Sequence, residues 1–144
     1  VVGGRDENIM DGIDALEIAK EYYDEKTFEH AQRVAGYVMG NRAVPERLQH
    51  NCFCLAIMHD LLEDTDYNPS DWPPYFRKEL ELISKPKDMD YEAYCKRIHD
   101  SADTDEGMCV WFVKLADIKD HLSQVDTLTP KLKEKYLSGL RYLL

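Results

Sequence analysis

Apolar residues recur along this chain at steps of three and four rather than alternately. Ile9, Ile13, Leu16, Ala19 and Tyr23 mark a first helical face. A second helix is predicted over about 27–41, with Val34, Ala35 and Val38 inside it. Pro45 suits the start of a third, where its missing N–H would have no intrahelical partner anyway. That helix is expected to run to about Glu63 through Leu48, Cys52, Leu55 and Leu62. Asn68-Pro69-Ser70-Asp71 reads as a turn and cap. Phe76, Leu80 and Ile83 mark a short helix after Pro73-Pro74, ended by Lys85-Pro86-Lys87. Asp90 is expected to cap a helix carrying Tyr91, Cys95 and Ile98. Ser101 to Gly107 is polar and reads as a loop, and a helix follows over about 108–123. Thr129-Pro130 opens the last helix, with Leu132, Tyr136, Leu140 and Leu143 on one face. No segment alternates with period two long enough to make a strand, and no repeat or linker interrupts the pattern. The expected class is all-α: a single compact bundle of about six to eight helices, one domain over residues 1–144.

The pattern breaks at three places, each time with a metal-ligating residue in an apolar slot. Positions 48, 52, 55, 59 and 62 share a face, and four of them are Leu48, Cys52, Leu55 and Leu62; the fifth is His59. His30 stands in line with Val34 and Val38. Asp117 continues the stripe of Val110 and Val113. Asp60 adjoins His59, about 100° round the helix, so both can lean toward one point. A buried carboxylate without a partner costs several kcal/mol. Three such residues on separate helices call for a shared partner, and one divalent cation fits. Histidine with aspartate suits Mn, Fe, Zn or Ni better than Ca. For each residue alone the ordinary reading is a hydrogen-bonded core histidine or a capping aspartate.

Glu63 follows His59 by four and Asp60 by three, so it lies over the same face and within reach of a metal-held water. Asp64 is four after Asp60. Their plain alternative is a solvated helix end, although two acids at a helix C-terminus oppose its dipole. Lys114 and Arg33, each three residues from a candidate ligand, could neutralise a phosphate; the alternative is that both are surface charges. The whole set matches what metal-assisted hydrolysis of a phosphate ester needs: ligands, an open position for water, and carboxylates for the proton.

Composition narrows the partners. The chain has 144 residues and a net charge of −10, which argues against a nucleic-acid polymer as partner. A small phosphorylated substrate remains compatible, since a metal and a few lysines reverse the field locally. No apolar run approaches the roughly 20 residues of a membrane helix. The stretch Val1-Val2-Gly3-Gly4-Arg5 lacks the features of a signal peptide. Cys52, Cys54, Cys95 and Cys109 form no zinc spacing and read as small hydrophobes. A cytoplasmic location is the expectation. Trp72-Pro73-Pro74-Tyr75 reads either as a docking surface or as the packing of a loop.

In order, His30, His59-Asp60 and Asp117 resemble the pattern of the HD phosphohydrolase superfamily. The closer likeness is to the hydrolase domain of RelA/SpoT-type alarmone enzymes, carried by His59-Asp60-Leu61-Leu62-Glu63-Asp64-Thr65, by Val113-Lys114-Leu115-Ala116-Asp117 and by His30 with Val34-Ala35. It spans about 28 to 121. The resemblance implies an HD-domain-like all-α fold with one divalent metal, usually Mn²⁺, with Fe, Zn, Ni or Mg as other fits. It implies that His30, His59, Asp60 and Asp117 ligate it, and that Glu63 and Asp64 orient or deprotonate the attacking water. The implied reaction removes a 3′-pyrophosphate from a guanosine nucleotide. Two departures stand out. The segment Tyr23 to Glu29 is shorter and less basic than the family's, and Ala31 replaces the Pro that follows the first His. His121 stands where the family commonly has Asn, and three roles are open to it: substrate contact, replacement of the Asn, or addition to the metal site. The other readings are hydrolysis of another small phosphate, such as a nucleoside monophosphate or dNTP, and a metal- or nucleotide-binding helical module without turnover.

Overall fold

The computed structural model describes residues 11–144; Ile9, placed on the first helical face above, lies outside them. The described residues form α1 (Gly12–Tyr22), α2 (Glu25–Met39), α3 (Gln49–Met58), α4 (Leu61–Asp64), α5 (Pro74–Ile83), α6 (Tyr91–Asp100), α7 (Asp105–Ser123) and α8 (Pro130–Leu143), with a 3₁₀ turn over Glu46–Leu48. No strand occurs among them. The fold is all-α, as the periodicity predicts. Among the described residues no helix is long and apolar enough to cross a membrane.

Local chemistry sets most of the helix starts. Asp11 and Asp14 form a reciprocal capping box on α1. Asp24 accepts from the Thr27 N–H at 2.8 Å and starts α2 two residues earlier than its apolar pattern suggests. Thr129 caps α8, with Pro130 in its first turn. Two boundaries differ from expectation. Asp90 stands at the start of α6, but its side chain makes no capping bond. The loop predicted through Gly107 ends at Thr104, whose hydroxyl accepts from the Gly107 N–H and draws Asp105 and Glu106 into α7.

The long α7 runs through the middle of the bundle, against α2 and α3 on one side and α5, α6 and α8 on the others. Leu55, Met58, Phe76, Leu80, Ile98, Val110 and Ile118 fill the interior. All four cysteines are buried and unpaired. Trp72 is buried, stacks on Phe76 at 4.6 Å and donates to the Tyr67 hydroxyl, so it packs the loop before α5. Gly139 lets α8 close on α6: a Cβ there would stand 2.5 Å from the ring of Tyr91.

The predicted third helix is not continuous. It breaks at His59-Asp60, between α3 and α4. The Ala56 carbonyl would be the helical partner of the Asp60 N–H. It accepts instead from Nδ1 of His59 at 2.6 Å, while the Asp60 N–H donates to the Tyr23 hydroxyl at 3.1 Å. The break rotates the next turn. Leu61 becomes fully buried and Leu62, expected on the core face, is only partly so.

Candidate metal centre

His30 on α2, His59 at the end of α3 and Asp117 on α7 are 8%, 3% and 3% exposed, so the three apolar slots are buried as expected. They meet. Oδ1 of Asp117 lies 2.9 Å from Nε2 of His30, 3.1 Å from Nε2 of His59 and 3.2 Å from Nε2 of His121. Oδ2 of Asp60 lies 3.3 Å from Nε2 of His59 and 3.7 Å from Nε2 of His30. Ligand atoms of His30, His59 and Asp60 all lie within 4.8 Å of one another, as do those of His30, Asp117 and His121.

The outer nitrogens decide what this cluster can do. Nδ1 of His59 faces the Ala56 carbonyl, and Nδ1 of His30 faces Oδ2 of Asp120 at 2.6 Å. Both are acceptors, so each Nδ1 carries a proton. Neutral imidazoles held that way aim Nε2 lone pairs at the oxygens of Asp60 and Asp117. Acceptors at about 3 Å from acceptors repel unless a cation or extra protons stand between them. A divalent ion fits this donor set, and a hydrogen-bonded Nδ1 is the usual support of a metal-binding histidine. Without the ion the same geometry favours imidazolium. Burial alone pushes His59 down, but Asp60 and Asp117 outweigh it and lift its pKa to about 9. His30 is raised as well, burial again being outweighed, here chiefly by the bond to Asp117. Asp117 is held well below the carboxylate range: Lys114 and the three histidines overcome its burial.

The other predicted residues take distinct places. Lys114 is buried and donates to Oδ2 of Asp117 at 2.9 Å. Arg33 grips both oxygens of Asp120, at 2.8 and 3.0 Å. His121 stacks flat on Tyr136, with centroids 4.7 Å apart, and turns Nε2 into the cluster. Glu63 and Asp64 share one outer hollow but border different chambers beside the cluster. Asp64 borders a chamber of about 300 Å³ with His30, Arg33, Asp60 and His121. Glu63 borders a second, smaller chamber of about 120 Å³ with Asp60, Lys114, Asp117 and His121, and it accepts from the Lys85 N–H. Burial, then the charges of Asp60 and Glu63, push Asp64 above its ordinary pKa. A larger hollow of about 710 Å³ lies around Glu79 and Arg97, and no histidine lines it.

Sequence reasoning missed Asp120 and Tyr23. Asp120 lies three residues after Asp117 on the same face, so its helical spacing carried a signal. Tyr23 sits on the first apolar stripe with no mark of its hydroxyl's role. No protein-family model matches the chain, and no curated protein does.

Proposed function

We propose that the protein is a metal-dependent phosphohydrolase for a small phosphorylated nucleotide, with 3′-pyrophosphate release from a guanosine alarmone as the reaction its motifs imply. The observation that carries this reading is the convergence of three imidazole nitrogens and the carboxylates of Asp60 and Asp117, with Glu63 and Asp64 on either side. His30, His59, Asp60 and Asp117 would hold one divalent ion, Mn²⁺ being the one the resemblance implies. The bound ion would acidify a water and polarise a phosphoryl oxygen.

The chain's own residues supply the rest. Asp120 and the Ala56 carbonyl fix the ring orientations of His30 and His59. The water oxygen bonds to phosphorus as the bond to the leaving oxygen breaks. Asp64, bordering the larger chamber beside Asp60, is placed to take the water's proton. Glu63, tethered to the Lys85 backbone, orients the water from the opposite chamber. Lys114 offsets negative charge at Asp117 and the phosphate.

One observation favours a different nucleotide or phosphate within the same class. The larger chamber is lined by Lys26, Thr27, Arg33, Gln124, Thr127 and the site residues, with no Phe, Tyr or Trp to stack a guanine. A panel of guanosine tetraphosphate, dNTPs and nucleoside monophosphates, incubated with the Mn²⁺-loaded protein, tests the reading. Release of phosphate or pyrophosphate from one of them is expected. Ligand binding without product under every divalent metal would favour the non-catalytic module instead.

A further inference from the structure

The smaller chamber joins the cluster on the side of α6 and α8. Lys85, Lys114 and Lys135 line it together with Tyr91, Tyr94 and Tyr136. In a chain of net charge −10, three lysines gather around one hollow. Lys114 is paired with Asp117. Lys85 is satisfied by the carbonyls of Pro86 and Met89. Lys135 has no carboxylate partner among the described residues: its ammonium rests over the rings of Tyr91 and Tyr136, 4.7 and 5.4 Å from their centroids. The hydroxyl of Tyr91 is buried beneath them, without a hydrogen-bond partner among the described residues.

The carboxylates in the same wall are Asp60, Glu63 and Asp117. Two of them are proposed metal ligands. Once a divalent ion neutralises those two, positive charge prevails in the chamber. Its volume of about 120 Å³ is on the scale of a few water molecules. That admits a phosphoryl group and excludes a nucleoside.

We infer that Lys135, held over the rings of Tyr91 and Tyr136 and backed by Lys85 and Lys114, forms an anion subsite for a terminal phosphate of the substrate. The substrate class follows: a phosphomonoester or pyrophosphate, whose end carries two or more charges, rather than an internal phosphodiester with one. The rest of the molecule lies across the metal in the larger chamber, since Asp60 and His121 wall both. The inference rests on the phosphohydrolase reading for its link to turnover, but the anion site is testable without turnover.

The experiment measures binding of inorganic pyrophosphate, orthophosphate and dimethyl phosphate to the Mn²⁺-loaded protein by calorimetry, with metal content read in parallel. Lys135→Met keeps the stem over the rings and removes the charge; Tyr91→Phe removes only the hydroxyl. Both variants are expected to keep their metal; Lys135→Met is expected to bind pyrophosphate about five- to tenfold more weakly and Tyr91→Phe, which keeps the ring, to bind it as the wild type does, with dimethyl phosphate at least tenfold weaker than pyrophosphate on the wild type. Unchanged pyrophosphate affinity in Lys135→Met, or equal binding of the diester, overturns the subsite. Lys135-dependent pyrophosphate binding without hydrolysis of any ester would keep the subsite and remove the catalytic reading. Hydrolysis with unaltered KM and pyrophosphate inhibition in Lys135→Met would do the reverse.

Discussion

His30 and Asp120 are joined by a 2.6 Å contact from imidazole Nδ1 to carboxylate Oδ2, and that contact turns the ring's other nitrogen toward Asp117. Asp120 is fully buried and is itself clamped by Arg33. It holds the Nδ1 proton of His30 and so fixes the ring's tautomer. Asp120→Ala should therefore weaken divalent-metal affinity about 10–100-fold while leaving the helical fold. Metal titration beside far-UV circular dichroism checks this. Wild-type affinity in the variant would show that His30 needs no such support.

Asp60→Ala and Glu63→Gln separate holding from turnover. The first should abolish bound metal and hydrolysis together, because Asp60 faces both His30 and His59. The second should keep the metal and lower kcat about 10²-fold, the range of a lost contact that orients the reacting water. Metal content and steady-state kinetics on the same preparations give the answer. Full activity in Glu63→Gln would remove the orienting role from Glu63.

Metal binding should release protons. His59, at about 9 in the metal-free cluster, is protonated at neutral pH, and a cation must displace that proton from Nε2. Apparent affinity should fall as pH drops, by about tenfold per unit for each proton displaced. Calorimetric titrations at pH 7 in two buffers of different ionisation enthalpy should give different heats. Identical heats would mean that the histidines are already neutral.

Glu79 gives the fold its own pH dependence, away from the candidate metal centre. One oxygen accepts from Asn51 at 2.7 Å, and the other is buried with no partner. Burial, then the neighbouring Cys109, lifts its pKa to about 9. The native state thus holds a proton that the unfolded chain gives up near pH 4.5. Stability from this group is fully present below that value and is lost as pH rises toward 9. Glu79→Gln should flatten this slope and raise Tm at pH 8 by a few degrees, about 1 kcal/mol or more. Thermal melts from pH 5 to 9 on both proteins decide it, and parallel curves would refute it.

Helical periodicity carried much of this arrangement. His30, His59 and Asp117 stand out because each replaces an apolar residue in a regular stripe, and all three are buried. The break at His59-Asp60 was not legible, because it depends on the Tyr23 hydroxyl, brought in from the end of α1 by tertiary packing. Asp120 could have been read from its spacing to Asp117, but a charged residue on a helix normally faces solvent. Lys135 and Tyr91 lie far apart in sequence and meet only because Gly139 lets α8 close on α6. Propensity and spacing hold no record of such contacts.

Metal stoichiometry on the purified chain bears most directly on the central claim. After dialysis against Mn²⁺ and then metal-free buffer, elemental analysis should find close to one ion per chain in the wild type and almost none in His59→Ala or Asp117→Ala. A wild type that retains no divalent metal, or variants that retain as much as it does, would contradict the account.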